Sequence, residues 1–374
     1  MNILTIGGAT QDLSVYYPHQ EMAYFDTPSG KQQFLLLLEG AKIELESVAY
    51  FPGGGAHNAA VSYARQEFDT SIICVVGTDC PGDSIIDNLN NNNVSTRFVT
   101  RISDKPTGFS FIIRLKTGDR TVLVNRGANS ALAEHHFSDQ AFVGIDQLYI
   151  TSLGGSAAAL LPSLALKARQ RGIPVAVNPG SSQLRAGADS LRQALSSIDT
   201  LILNSYEATL LMSSLQQAAE SDGKPAVSDH PKLPKIIASP LLLDVTSSLD
   251  IALFCSRVNA YGTKIVAVTN GAEGVYVSTQ DCLYFYPSKP IKVVSTLGAG
   301  DAFGSGFVGH LARGGTVEQA IRYGMANSHA VIADCGAQTG LLSGDALGKA
   351  AQALDPSLLQ TFDLSFSGHP RGND

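Results

Sequence analysis

From Leu148 to Ser214 short apolar runs alternate with longer segments of helical character, and few architectures accept that rhythm. Leu148–Ser152, Val175–Asn178 and Thr200–Asn204 read as strands, with helices at Ala157–Arg171, Leu184–Ser197 and Ser205–Ser214. Strands joined through helices lie parallel, and a parallel sheet needs cover on both faces. Met1–Gly8 and Ser71–Gly77 supply earlier strands, with helices at Ala56–Gln66 and Asp83–Asn90. After a helix at Asp250–Tyr261, further strands follow at Ile265–Thr269 and Gly274–Ser278. The expected fold class is α/β, a doubly wound and mostly parallel central sheet with helices on both faces.

Two early stretches depart from this rhythm. Phe34–Leu38, a Glu39-Gly40 turn and Ile43–Val48 read as a β-hairpin, partly with period two. Thr107–Leu115 and Arg120–Asn125 read as a second hairpin, turned at Thr117-Gly118-Asp119. Together, residues from about 13 to 50 and from 107 to 125 are expected to form a small β-sheet lid. Residues 216–247 are polar and proline-dotted, which predicts an insertion. Thr316–Ala333 reads as a long helix opened by a Thr316/Gln319 capping box. Without a repeat or a low-complexity linker, residues 1–374 read as one domain. The apolar run Phe34–Leu38 on a lid predicts a homodimer through it.

Charge narrows the function. The net charge is -7 and no Lys/Arg run occurs, which argues against a nucleic-acid or polybasic membrane partner. Apolar runs are too short to span a bilayer, and no signal-peptide pattern precedes the first strand. Five scattered cysteines without a CxxC pair read as reduced thiols, so a cytoplasmic location is expected.

The chemistry concentrates in Ser295–Phe307, S-T-L-G-A-G-D-A-F-G-S-G-F. It follows a strand-like run, Ile291–Val294, and opens a helix of small residues. Gly298, Ala299 and Gly300 let backbone N–H groups converge at a helix N-terminus, where the dipole favours an anion. Asp301 stands at the end of this cradle, where it could serve as a base or merely cap a tight strand-to-helix turn. Three adjacent residues without bulk are more than a cap needs, which favours the functional reading. In a parallel sheet ligands gather past the carboxyl ends of strands. Asp12, Asn58, Asn178, Asn204, Thr269 and Gly271 all fall there. Plainer readings compete. Asp12 fits an ordinary turn, Asn58 a helix cap, and Gly271–Gly274 a hairpin turn. Asn204-Ser205-Tyr206-Glu207 fits a capping box. There is no G-x-x-x-x-G-K-S/T and no G-x-G-x-x-G after the first strand, which argues against P-loop and Rossmann sites.

Taken in order, these motifs resemble the ribokinase-like (PfkB) family of carbohydrate and nucleoside kinases. The matching segments are Asp12, Pro52–Asn58, Val76–Asp79 with Gly82, and Gly127–Asn129. Further matches are Asn204–Glu207, Thr269–Gly274, Thr296–Asp301 and Gly336-Ala337. The resemblance implies an ATP-dependent phosphotransferase acting on a hydroxyl of a small sugar or nucleoside. It implies Asp301 as general base and the 298–301 backbone as anion hole. Asp12, Gly54 and Asn58 match acceptor contacts, and Thr269, Gly271 and Gly274 match the nucleotide loop. Asn327 matches a position near the adenine. Asn204 and Glu207 match the pair that organises Mg²⁺, with Glu207 acting through water. Ser295 departs from an aspartate that many members use for a monovalent cation, so potassium dependence is not expected to carry over. A non-catalytic sugar- or nucleoside-binding regulatory protein is the alternative, although such a chain is expected to lose Asp301 or Glu207. Ribose-like sugars, nucleosides and hexoses all remain open. A phosphorylated acceptor would need a basic group, for which Arg126 is the candidate and an ordinary surface arginine the plainer reading.

Overall fold

In the computed structural model, strands with residues of opposite facing fix the layers. Leu4, Ile6, Leu148, Ile150, Leu201, Leu203, Val266 and Val268 are buried against one set of helices. Their alternates Ile3, Tyr149, Ile202 and Ala267 are buried against another. This period-two burial on both faces is what a sheet covered on both sides requires. The structure describes residues 1–17, 22–27, 30–115, 120–184, 188–221, 235–237 and 248–364.

The main sheet has ten strands. From one edge they run Gln360–Asp363, Cys282–Pro287, Gly274–Ser278, Ile265–Thr269, Thr200–Asn204, Val175–Val177, Gln147–Ile150, Asn2–Ile6, Asp69–Gly77 and Val94–Ile102. Every pairing from Ile265–Thr269 to Val94–Ile102 is parallel, and the three strands at the other edge are antiparallel. Helices Leu161–Gln170 and Ile251–Ala260 cover one face, through Leu161, Leu164, Phe254 and Val258. Helices Gly55–Arg65, Ala299–Ala312, Val317–Ile332 and Gly344–Gln352 cover the other, through Tyr63, Phe303, Phe307, Ile321 and Leu347. The capping box forms as expected: Thr316 Oγ1 accepts from Gln319 N, and Gln319 Oε1 accepts from Thr316 N, both at 3.3 Å.

A second sheet of four strands runs in the order Ser47–Gly53, Thr10–Tyr16, Gly108–Arg114 and Arg120–Asn125. It includes Thr10–Tyr16, which starts before the expected segment. The hairpin expected over 34–48 does not form. Phe34 and Leu35 instead pair with Ala23 and Met22 in the hairpin Met22–Thr27/Gly30–Leu35. Val48 pairs with Val15. Each arm thus finds an N-terminal partner, and Leu36–Leu38 are left exposed between them. The expected turn at 117–119 lies outside the described residues, although its arms pair antiparallel.

Ile291–Val294 is not a strand. Its apolar, β-branched residues lie in a loop, and Val294 N donates to the Ile332 carbonyl at 2.8 Å, at the end of a helix rather than in a ladder. The strand before the cradle is Cys282–Pro287. Helix Ser205–Ser221 runs into the segment expected as an insertion, where Lys235–Ile237 pairs with Ser248–Asp250. The rest of 216–247 lies outside the described residues.

Candidate active site

The site lies where the C-terminal ends of the parallel strands face the second sheet. Helix Ala299–Ala312 begins at Gly298, which has φ 76° and ψ 0°. That left-handed conformation suits glycine. A Cβ there would also lie 2.6 Å from Ala337 Cβ, so the tight turn needs both properties of glycine. Gly300 differs, because nothing lies within 4 Å of where its Cβ would be. First-turn N–H groups have no acceptor within their own helix. Ala299 N makes a long 3.4 Å bond back to Thr296 O.

Asp301 sits in this first turn. Its Oδ2 accepts from Asn58 Nδ2 at 2.8 Å, and Asn58 Oδ1 accepts from Gln338 Nε2 at 3.0 Å. Both ends of the Asn58 amide are therefore engaged in fixing the carboxylate. Burial raises the Asp301 pKa, the Asn58 bond opposes this, and the nearby Asp12 charge adds to the rise. A carboxylate with elevated basicity, held in one orientation, is equipped to take a proton.

Asp12 is 4% exposed and projects from strand Thr10–Tyr16. Burial raises its pKa against bonds from Ser110 and Thr10, the latter at 3.0 Å. Gly54 adopts φ 95°, and a Cβ there would lie 2.5 Å from the Gly8 carbonyl oxygen. The loop before helix Gly55–Arg65 thereby presses against the end of the first strand. Asp12, Gly54, Asn58 and Asp301 thus gather in one cleft.

The nucleotide-side expectations divide. Thr269, Gly271 and Gly274 line a cavity of about 480 Å³ together with Thr296, Ala299 and Gly300. Met325, Ser328 and His329 of the late helix also line it, but Asn327 does not. Asn327 is fully buried. Its Nδ2 donates to Ser62 Oγ at 3.2 Å and Ala302 O at 2.9 Å, and its Oδ1 accepts from Leu342 N at 3.2 Å. It therefore ties three segments together rather than meeting a base, since the rotation of about 100° per helical residue directs Met325, Ser328 and His329 to the cavity instead.

Asn204 and Glu207 form the reciprocal capping box. Glu207 Oε2 accepts from Asn204 N at 3.0 Å, and Asn204 Oδ1 accepts from Glu207 N at 2.8 Å. Burial pushes the Glu207 pKa up to about 7, opposed by the Asn204 bonds and aided by the Asp301 charge. Among the described residues no lysine or arginine pairs with this half-buried carboxylate, which suits a divalent cation. Among the described residues no three His, Cys, Asp or Glu cluster as a metal cage. That donor set fits an ion which keeps most of its waters, as Mg²⁺ does.

Two further groups were not predicted. Gln338 steadies Asn58 from 280 residues away. Arg120, on the second sheet, donates through Nη1 to Thr296 Oγ1 at the cavity edge. Beside it a small cavity of about 60 Å³ is lined by Tyr16, Arg114, Arg120 and Ser295. Arg114 Nε is buried there without a hydrogen-bond partner. The Arg120-Thr121 step in a strand ending at the Gly127-Ala128-Asn129 motif was the available signal, but charge alone did not separate it from surface arginines.

Residues 26–343 match the pfkB family carbohydrate kinases. An ATP-dependent ribose-1-phosphate kinase of Halopiger xanaduensis is 26% identical, with 83% of this chain and 88% of that protein covered. A ribokinase of Mus musculus is 30% identical, with 70% and 71% covered. The Arabidopsis thaliana ribokinase structure, complexed with ribose and ATP, superposes with a TM-score of 0.70 at 20% identity, covering 94% of this chain and 98% of that one. A nucleoside kinase of Methanocaldococcus jannaschii gives a TM-score of 0.67 at 18% identity, with coverage of 94% and 98%. The chain has a ribokinase-like fold and belongs to the pfkB family of carbohydrate kinases.

Proposed function

We propose that this protein transfers the γ-phosphate of ATP to a hydroxyl of a small sugar, with Asp301 as general base. The observation that carries this reading is the oriented Asp301 carboxylate in the first turn of a helix whose N-terminus opens into a cavity of about 480 Å³. Asp301 takes the proton from the acceptor hydroxyl as its oxygen attacks the γ-phosphorus. The bond to the bridging oxygen of ADP breaks, and ADP leaves. The 298–301 backbone accepts the charge that builds on the transferred group, as expected where electrostatics dominate phosphoryl transfer. Thr269, Gly271 and Gly274 bound the nucleotide, and Arg120 brings positive charge to the same edge. Mg²⁺, when bound with the nucleotide near Glu207, neutralises phosphate charge. Asp12 and Gly54 shape the acceptor side, while Asn58 orients Asp301.

The second sheet acts as a lid in this reading, excluding water that would otherwise take the phosphoryl group. Two relatives are named for pentose or pentose phosphate substrates, which favours a sugar over a nucleoside. Potassium is not needed, because the cavity at Ser295 already holds two arginines. The free state of all five cysteines accords with a cytoplasmic enzyme. Among the described residues no helix is long and apolar enough to cross a membrane. The exposed strand Arg120–Asn125 and the exposed Val48 and Tyr50 give the lid an apolar outer face suited to a homodimer. Acceptor-dependent ADP release from ATP across a sugar and nucleoside panel tests the reading. Ligand-induced stabilisation without ADP release from any acceptor would instead favour the non-catalytic alternative.

A further inference from the structure

The acceptor cleft has two walls. One is the second sheet with the turn that follows it, carrying Asp12 and, past strand Arg120–Asn125, Arg126. The other is the C-terminal edge of the main sheet, carrying Asp301 and the loop from Thr151 to Gly154. The two ends of this loop differ. At Gly55, a Cβ would lie 3.0 Å from Thr151 Cβ and 3.3 Å from Asp301 Oδ1, so Thr151 adjoins the base. Three residues on, a Cβ at Gly154 would lie 2.0 Å from Arg126 Nη1 and 2.7 Å from its Cζ. The Arg126 side chain, although exposed, therefore reaches from one wall and lies against Gly154 on the other. Three residues reach at most ~11 Å, which bounds how far this end lies from Thr151 beside the base.

Gly154 is not demanded by its backbone. Its φ is −101° and its ψ 153°, an extended conformation open to any residue. Its missing side chain makes room for the guanidinium. The turn that delivers Arg126 is itself fixed. Asn129 N donates to Arg126 O at 3.0 Å. Asn129 Oδ1 accepts from Ala9 N at 3.0 Å, and its Nδ2 donates to Ala9 O at 2.8 Å. The same turn thus locks the strand end next to Asp12 and places a cation at the far end of the cleft. Asp12 and Asp301, the carboxylates of this cleft, both have their charged forms disfavoured by burial. A planar guanidinium with paired N–H donors matches phosphate oxygens better than neutral hydroxyls.

We propose that the acceptor is a sugar that already carries one phosphate, with Arg126, laid over Gly154, holding that phosphate while Asp301 deprotonates a hydroxyl at the other end. This deepens the kinase reading above and rests on it. The acceptor oxygen bonds to the γ-phosphorus, its proton passes to Asp301, and ADP departs, so the product is a sugar bisphosphate. Reactions that release a sugar monophosphate must supply the substrate, and reactions that consume a bisphosphate must follow.

The test uses the full chain with ATP and Mg²⁺ and reads ADP release. Acceptors are ribose against ribose 1-phosphate, fructose against fructose 6-phosphate, and gluconate as an anionic sugar without phosphate. A phosphorylated acceptor is expected to exceed its parent about 100-fold in kcat/KM, in line with charge-assisted bonds to phosphate. Arg126→Ala should cut the ratio of phosphorylated to parent kcat/KM by about 10–100-fold, and Arg126→Lys should restore part of it. An ADP-induced thermal shift like that of the wild type shows that each variant is folded. Preference for a parent sugar or for gluconate overturns the proposal, as does an Arg126→Ala effect equal on both members of a pair. Turnover of neutral sugars alone removes this inference and leaves the kinase reading intact. No ADP release with any acceptor removes both.

Discussion

His57 is fully buried directly behind the acceptor loop. Its Nδ1 lies 3.2 Å from the Gly53 carbonyl oxygen, and its Nε2 lies 2.7 Å from Asn88 Oδ1. Burial lowers its pKa from 6.5 to about 4, against the pull of the Asn88 and Gly53 bonds. The unfolded chain therefore protonates this ring at higher pH than the folded chain does. The stability contributed by the neutral ring is complete above pH 6.5 and is lost as pH falls towards 4. At ~1.4 kcal/mol per unit, the loss by pH 4.5 is roughly 2.5 kcal/mol. Glu207 works in the opposite direction. Its pKa is raised from 4.5 to about 7, mainly by burial, so the folded chain holds this proton more tightly and acidification across that window stabilises it. Asp12 and Asp301, whose pKa values burial also raises, act in the same direction as Glu207, so the wild-type profile by itself does not isolate the His57 contribution. A His57→Gln variant removes only that contribution. Urea unfolding of both proteins between about pH 7 and about pH 4.5 isolates it. The wild type should lose roughly 2–3 kcal/mol relative to the variant across this range. Parallel pH profiles would refute the reasoning, because they would mean that the ring is not buried neutral.

Four other outcomes follow from the same geometry. Gly298→Ala should lower stability by at least ~1–2 kcal/mol through its left-handed backbone, more through contact with Ala337. Gly300→Ala should stay within ~0.5 kcal/mol of the wild type by thermal denaturation and yet lose activity, because only a ligand meets that position. Replacing potassium by sodium at constant ionic strength should leave kcat within about two-fold, since Arg114 and Arg120 supply fixed positive charge at Ser295. Light scattering should give a dimer mass, and charged substitutions at Leu123 and Val124, 58% exposed each, should yield a monomer.

Much of this was legible because it is local. The Asn204–Glu207 capping box needs only three residues of spacing, and its bonds form in both directions. The parallel core was readable because buried strands are continuously apolar while the helices between them are not. Glycine at 298 announced a backbone that no other residue suits. Non-local features were hidden. Gln338 supports Asn58, and Arg120 reaches Thr296, across separations of 280 and 176 residues. Ile291–Val294 has strand composition, but its backbone bonds go to a helix end, and β propensity does not encode the partner. Asn327 sits in a helix whose neighbours line the cavity, and the residue type gave no sign that its amide is consumed internally.

The central claim is that Asp301 is the base rather than a helix-capping carboxylate. The most direct measurement compares wild type and Asp301→Asn in acceptor-dependent ADP formation, with ADP affinity measured by calorimetry on the same samples. Asparagine keeps the shape and removes the basicity. The account predicts that kcat falls by ~10²–10⁴-fold while nucleotide affinity changes by only a few-fold. An Asp301→Asn enzyme that turns over at the wild-type rate would contradict it.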